Sequence, residues 1–502
     1  MAQRETFKSQ LGFLMAAVGS AIGLGNIWRF SYMAYSNGGG AFLIPYLTAL
    51  ITTGIPLLLL EFAIGHERFG SAPLAIAKMN RKWEWLGWSS VVLVMFALVL
   101  YYTVIVAWCV DFVIYSFSFK WGNDPNAFFF KEFLGLTDKP FEMGSIRIPI
   151  LLSLIFIWFV NWVIVARGVG RGIEISNMIF MPVLFVLTAG LLVRAVFLDG
   201  ALEGIRAYIV PDFSKLTDPK VWLNAYSQIF FSLSLSMGIM IAYSSYLSKK
   251  ANLSKNAIIT GCMNSGFSLF AGVAVFSVLG FMAHSQSKPI SEVVSQSIGL
   301  AFVAYPKAIS LMPGGKFFGA IFFFSLVIAG VSSSISLIEA FTSAALDKFG
   351  MKRSVTVTIV CILGLLGSLV FSTQAGLYWL DILDHFVSDF GLVFIGIFQC
   401  ILAGWIFKLT GFEKHINKYS SIKVGPLWAA LIKYFIPGVL AIMFFGTLIK
   451  EIVSSYGGYS RLAVIIIGMN WLILVALIVV FLATRKWRTD YMKQDGVEKE
   501  VG

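Results

Sequence analysis

Between Gly12 and Phe30 an apolar run carries Gly19, Gly23 and Gly25, with Ser20 and Asn26 among them and Arg29 near its end. Glycine lacks a Cβ and lets the backbone leave helical geometry, and in lipid such a break survives only where the freed amides and carbonyls face protein or a water-filled cavity. The stretch therefore predicts a site. Unwound carbonyls coordinate a cation, and the amides opening the next half-helix hold an anion such as a carboxylate. A second interrupted stretch runs from Gln228 to Gly238, with Ser232, Ser234 and Ser236 at alternate positions. On a regular helix these three would point to different faces, so unwinding is expected here too. Ala329 to Ser334 adds a dense hydroxyl patch, and Asn264 and Ser268 add neutral polar groups. Carbonyls, amides and hydroxyls are the ligands a hard cation such as Na⁺ takes without further charge.

Charged groups inside apolar runs are costly and default to function. Glu61, behind Leu57–Leu60, is expected to accept hydrogen bonds from one of the interrupted stretches as a support. Arg29 needs a partner at its own depth, and Asp384, from the set Asp381, Asp384 and Asp389, is the candidate. Soluble catalytic chemistry is not supported. Gly23-Leu-Gly25 has neither a preceding strand nor the third glycine of a dinucleotide loop, no GxxxxGK occurs, and His66, His284, His385 and His415 are scattered. Cys109, Cys262, Cys361 and Cys400 form no CxxC pair and are expected as free, buried small hydrophobes.

The elements that must position these groups are membrane helices. The 502 residues are 58% hydrophobic and 13% charged, against about half and a quarter in soluble domains. Twelve apolar spans are predicted, near 10–31, 39–65, 86–118, 147–166, 173–198, 220–247, 255–283, 317–345, 354–372, 380–406, 430–450 and 461–484, each close to or above the ~20 residues that cross a bilayer. The net charge of +12 does not indicate nucleic acid. Lys78, Arg81, Lys82, Arg167, Arg171, Lys249, Lys250, Lys352 and Lys414 fall in loops on one side if both termini are cytoplasmic, as the positive-inside rule expects. The interrupted first and sixth spans stand five spans apart, which suggests two five-span repeats with a midplane site. Gly172, ten residues before Pro182, marks another weakened helix.

Gly19-Ser-Ala-Ile-Gly-Leu-Gly-Asn-Ile-Trp-Arg29 and Asn37-Gly-Gly-Gly-Ala-Phe-Leu-Ile-Pro-Tyr46, with Tyr101-Tyr102, Gln228 to Gly238 and Ala329 to Ser333 in order, resemble the neurotransmitter:sodium symporter family, of the leucine-transporter fold, over nearly the whole chain. The resemblance implies an all-α integral membrane protein of twelve transmembrane helices, with inverted five-helix repeats and discontinuous first and sixth helices. Residues 1–200 would form the first repeat, 201–406 the second with an outer loop at 284–316, and 407–502 the last two spans and a cytoplasmic tail. It implies sodium-coupled import of an amino acid or related small zwitterion by alternating access, in the cell membrane, by a monomer or weak homo-oligomer.

Carried over residue by residue, the resemblance implies a first sodium site at Ala21, Asn26, Ser232 and Asn264, completed by the substrate carboxylate. The shared ligand makes ion and substrate improve each other's binding reciprocally. The second sodium site would use Gly19, Ile22, Ala329, Ser332 and Ser333. Substrate would lie against Ser20, Ala21, Leu24, Gly25, Leu98, Tyr102, Phe231, Ser232, Ser234, Met237, Ser333 and Leu337. Arg29 with Asp384 would form the outer gate, and Arg4 with Asp347 the inner one. Ser20 stands where amine carriers of the family have an acidic residue, and Leu98, Met237 and Leu337 make the side-chain end apolar, so a hydrophobic or aromatic α-amino acid is expected. Ser268 stands where many prokaryotic relatives have a carboxylate and chloride-dependent animal relatives a serine. With Tyr46, Gln228, Ser232 and Asn264 it implies a chloride site and chloride stimulation. Alternatives are a carrier of another zwitterion such as taurine or γ-aminobutyrate, a non-transporting receptor, a channel, which the two gates disfavour, and a membrane hydrolase, for which no nucleophile and base pair is apparent.

Overall fold

The computed structural model describes residues 5–294 and 297–487. Among these residues the chain is helical, its one extended pairing an isolated bridge between Ile146 and Thr373. α1 (Gln10–Ala21) and α2 (Leu24–Ser36) form a pair bent by 69°. There follow α3 (Gly39–Arg68), α4 (Arg81–Ser116), α5 (Ile148–Ala166) and α6 (Val169–Val196), each long and apolar enough to cross a membrane. α7 (Pro219–Ser232) and α8 (Ile239–Ser244) flank a non-helical stretch. Next come α9 (Leu253–Gln286), the shorter α10 (Leu300–Leu311), α11 (Gly315–Phe349), α12 (Arg353–Ser372) and α13 (Gly376–Ile406). The short α14 (Leu409–Tyr419) leads to α15 (Pro426–Gly458) and α16 (Arg461–Thr484). Ten of these helices meet the length and composition of a membrane span, and the bent pair raises the number to eleven. The expected span at 220–247 is interrupted, as its alternating serines predict, into two helices each too short to cross alone.

Burial sorts the helices into centre and rim. In α4 and α11 the most apolar stretch is 89% and 83% buried in the protein, against 22% in α15 and 28% in α16. Helices apolar on every side and buried on every side are core, whereas α15 and α16 expose theirs to lipid. The first bend comes directly from sequence. α1 ends at Ala21, Ile22 turns extended, and α2 starts after Gly23. The other end of α1 is fixed by Ser9, whose hydroxyl accepts the Gly12 N–H at 2.9 Å, while Glu174 of α6 accepts the Lys8 and Ser9 N–H groups at 2.7 and 3.1 Å. A carboxylate at a helix N-terminus meets both unsatisfied donors and the positive end of the dipole. Near Gly172, a wider turn over Val169–Ile173 opens α6, and Pro182 lies inside it. One expectation needs correction: Cys262, on the lipid side of α9, is exposed, while Cys109, Cys361 and Cys400 are buried.

Candidate functional site

The two breaks meet at the centre of the molecule. Between α7 and α8, Ser234 (φ 53°), Ser236 (φ 64°) and Gly238 (φ 73°) adopt left-handed backbone. For the two serines this conformation costs on the order of 1–3 kcal/mol each and persists only where the surroundings impose it. Here they do. The Ser236 N–H donates to Glu61 Oε1 of α3 at 2.7 Å, and the Ser234 hydroxyl donates to the Ser20 carbonyl of α1 at 3.1 Å. Glu61 thus supports the α7–α8 break, from a position with no exposure to solvent.

Oxygen atoms converge where α1 ends. Ser333 Oγ of α11 lies 3.5, 3.4, 3.4 and 3.2 Å from the carbonyl oxygens of Gly19, Ser20, Ile22 and Ala329. Ser332 Oγ also donates to the Ala329 carbonyl, at 2.9 Å. One hydroxyl proton cannot serve four carbonyls, so the cluster carries surplus acceptor capacity in a buried place. Such an arrangement suits a small hard cation. The five residues Gly19, Ile22, Ala329, Ser332 and Ser333 expected for one ion site are therefore brought together.

A second cluster centres on Asn26. Its Oδ1 accepts the Gly23 N–H at 2.9 Å. Its Nδ2 faces Ser232 Oγ at 3.2 Å, Asn264 Oδ1 at 2.8 Å, the Asn264 carbonyl at 3.5 Å and Ser268 Oγ at 2.8 Å. Two amide protons meet four oxygens, again an excess of acceptors. Asn264 Nδ2 donates in turn to Ser232 Oγ at 2.7 Å. Tyr46 hydroxyl is 3.1 Å from Ser265 Oγ, a partner that sequence reasoning missed. Its signal was position: Ser265 directly follows Asn264 on the same helix.

Between the clusters lies a small cavity of about 50 Å³. Its wall includes Ser20, Ala21, Leu24, Gly25, Asn26, Leu98, Tyr102, Gln228, Phe231, Ser232, Ser234, Met237, Ser333 and Leu337, so every residue expected to touch substrate lines it. Gly23 lines it too, and was not expected to. A Cβ there would come within 3.0 Å of Ser333 Oγ and 3.1 Å of the Tyr102 hydroxyl, so glycine keeps that space open. The Ser20 hydroxyl is buried without a hydrogen-bond partner, and the equally buried Tyr102 hydroxyl meets only the Ser333 hydroxyl and the Leu24 backbone, in loose geometry. A buried orphan donor costs about 1–3 kcal/mol, and a carboxylate placed between the two hydroxyls would satisfy both.

The cavity is bounded differently at its two ends. At the Arg29 end, the guanidinium stands 5.0 Å over the Phe231 ring, and Tyr101 donates to Asp384 Oδ1 at 2.6 Å. Contrary to expectation, Arg29 forms no ion pair with Asp384 or any other carboxylate among the described residues. Phe231 occupies its face, and Tyr101 has taken the acid. At the α1 N-terminal end, Phe7 N–H donates to the Tyr246 carbonyl at 3.1 Å, and Tyr246 hydroxyl to Glu339 at 2.8 Å. Arg353 pairs with the fully buried Glu339 and reaches Glu5 at 3.6 Å. Lys348 meets Glu84 at 2.5 Å, and the Trp88 and Trp487 indoles each donate to the same carboxylate at 3.0 Å. Asp347 accepts the Ser71 N–H at 2.9 Å. Arg4, its expected partner, lies outside the described residues.

The model of the "Sodium:neurotransmitter symporter family" matches residues 4–126 and 121–489. The chain belongs to this family. As a member it is one of a family of sodium-coupled transporters and is no enzyme. An uncharacterized sodium-dependent transporter of Methanocaldococcus jannaschii is 46% identical to this symporter over 464 residues, covering 92% of this chain and 94% of the relative. The sodium- and chloride-dependent taurine transporter of Rattus norvegicus is 31% identical, covering 96% and 85%. The sodium- and chloride-dependent GABA transporter 2 of Homo sapiens is also 31% identical, covering 90% and 81%.

Proposed function

We propose that this symporter couples Na⁺ entry to import of a small zwitterionic amino acid held in the central cavity. The observation that carries the reading is the meeting of two acceptor-rich clusters and the buried Ser20 and Tyr102 hydroxyls around one small space. Gly19, Ile22, Ala329, Ser332 and Ser333 would hold one Na⁺. Ala21, Asn26, Ser232 and Asn264 would hold the other, completed by a substrate carboxylate that also takes the Tyr102 and Ser20 hydroxyls. Each cation compensates an acceptor surplus that is costly when buried, and the shared carboxylate makes binding of ion and substrate mutually dependent.

The substrate class we favour is a hydrophobic or aromatic α-amino acid, because Leu98, Met237 and Leu337 offer the side chain no polar partner. The relatives named for taurine and GABA favour a second reading, a carrier of a β- or γ-amino acid or sulfonate, which would use the same carboxylate or sulfonate contacts. Chloride stimulation is part of the proposal: Ser268, Ser232 and Asn264 surround Asn26, with Tyr46 and Gln228 nearby. The path would be alternating access. α7 and α8 would together form a twelfth span, the two broken spans would head inverted repeats, and both termini would face the cytoplasm of the cell membrane. Arg29 and Asp384 would then belong to the outer gate, and Asp347 to the inner one.

The test is uptake into proteoliposomes of labelled leucine, tryptophan, taurine and γ-aminobutyrate, with an inward Na⁺ gradient against choline, and with chloride against gluconate. Sodium-driven accumulation of leucine or tryptophan supports the favoured reading. Accumulation of taurine or γ-aminobutyrate alone replaces it with the second, and binding without accumulation of any of them overturns transport.

A further inference from the structure

A cavity of about 640 Å³ lies away from the central site, where α13, α15 and α16 come together against α4. Its walls are apolar, with Phe390 and Phe394 from α13, Phe444 from α15, Leu472 and Val475 from α16, and Leu93 from α4. Along α16 the lining extends from Val464 to Val479, which at 1.5 Å per residue is about 22 Å. That exceeds the ~15 Å depth of one hydrocarbon leaflet. The cavity is thus a long slot opening to the bilayer between rim helices, beside a small apolar cluster of Ile382, Phe386 and Phe390 with Val464 and Ile467 that packs apart from the main core.

Glu451, Ser455 and Arg461 stand at the end of the slot where α15 meets α16, and Ser89 lies toward the opposite end, near the C-terminal part of α16. Ser89 donates to the Trp85 carbonyl at 2.9 Å. Glu451 accepts the Tyr456 N–H at 3.1 Å and faces His385 Nε2 at 3.3 Å. Arg461, exposed at the mouth, reaches the Ile452 carbonyl at 3.3 Å and meets no carboxylate among the described residues. Lys450 lies in the last turn of its helix, one residue before Glu451. A deep apolar channel with an unneutralised guanidinium at its mouth matches an amphiphile with one anionic group.

The geometry points to a phospholipid site: an acyl chain lies in the α13–α15–α16 slot and its phosphate sits on Arg461. The slot is backed by the helix that carries Asp384, so the chain braces α13 against α4, where Tyr101 holds that acid. Binding is the readout, so the site stands or falls independently of whether the protein transports.

The full chain, purified in detergent and stripped of lipid, would be titrated with phosphatidylglycerol and with phosphatidylcholine and read by native mass spectrometry. One tightly retained phosphatidylglycerol is expected, with affinity reduced at least tenfold in Val475→Trp, which fills the slot. In Arg461→Gln the preference for phosphatidylglycerol over phosphatidylcholine is expected to disappear. To avoid dependence on variants that fold poorly, the wild-type chain would also be crosslinked with a photoactivatable acyl-chain phosphatidylglycerol. Adducts mapping to 386–395 and 464–479 support the site. Equal retention in Val475→Trp and wild type, or adducts spread over α5 and α6, would overturn it. Loss of a dimer rather than of lipid in Val475→Trp would also overturn it, assigning the slot to a second copy of the chain.

Discussion

The two ends of the central cavity are closed by different physics. At one end, buried carboxylates are held inside the protein: Glu339 is paired with Arg353 and bonded by Tyr246, Glu84 is paired with Lys348 and bonded by two indoles, and Asp347 accepts a backbone amide. At the other, an arginine rests on an aromatic ring and one tyrosine holds one aspartate. Parting the first end strands charges in a dry place, and removing one partner of such a pair typically costs 3–5 kcal/mol. Opening the second requires only that Phe231 turn and Arg29 find water. On the proposed alternating-access reading, the difference predicts which side yields first: solutes would enter past Phe231, and the charged end would release only when something offsets its cost.

The comparison breaks most visibly at Arg353. Arg353→Met leaves Glu339 unpaired, and a loss of about 3–5 kcal/mol is expected in thermal unfolding in detergent, partly restored by adding Glu339→Gln. Less is expected from Tyr101→Phe, which removes one hydrogen bond to a charged group, about 1.5–3 kcal/mol. It should show as faster ligand release, with a smaller loss in unfolding than Arg353→Met. If it destabilises the protein as much as Arg353→Met, the contrast between the ends is wrong. Phe231→Ala removes a lid and a cation–π contact of about 0.5–2 kcal/mol; ligand dissociation should quicken severalfold to about thirtyfold while equilibrium unfolding stays nearly unchanged.

A separate effect is expected from pH, at His415 on α14. Its ring nitrogen lies 2.8 Å from His66 Nδ1, whose other nitrogen faces the Ser248 carbonyl at 2.8 Å. Burial, then the neighbouring His66, Arg68 and Lys418, lower its pKa from 6.5 to about 4. A depressed value means that the unfolded chain binds the proton more readily, so stability is present above pH 6.5 and declines as pH falls toward 4. Melting temperature measured from pH 7 to 4.5 should fall less steeply in His415→Asn than in wild type. Parallel curves would remove His415 from the account.

Much of the site was legible because it is built from backbone breaks, and breaks leave marks in composition. Gly23 and the alternating serines 232, 234 and 236 could not be read as ordinary helix, and they mark the places where α1 and α7 end. Glu61 was legible because an acid that deep needs a donor. The partners of Arg29 and Asp384 were not, since charge pairing suggests that opposite charges meet, and only packing reveals that Phe231 and Tyr101 arrive first. The charged seal was equally hidden. Glu339 and Arg353 are fourteen residues apart on different helices, and Trp487 reaches Glu84 from across the sequence. The exposure of Cys262 depends on which face of α9 meets lipid, which a helix apolar all round does not declare.

Asn26 gives the site a sense of order. Its oxygen now occupies the Gly23 amide, and its nitrogen the oxygens of Ser232 and Asn264. A cation arriving among those oxygens cannot share the place with an NH₂ group. On the proposed reading the side-chain amide would turn, its oxygen joining the ion and letting go of Gly23. The amide so released points toward the cavity that Gly23 lines, an additional donor that did not exist before. If the proposed cation binds in this cluster, the rotor would let the first guest prepare the seat of the second, an expected order of cation before anion. Asn26→Asp, an acceptor on both sides, should bind the cation yet lose that order, which stopped-flow mixing with the two ligands in either succession would reveal.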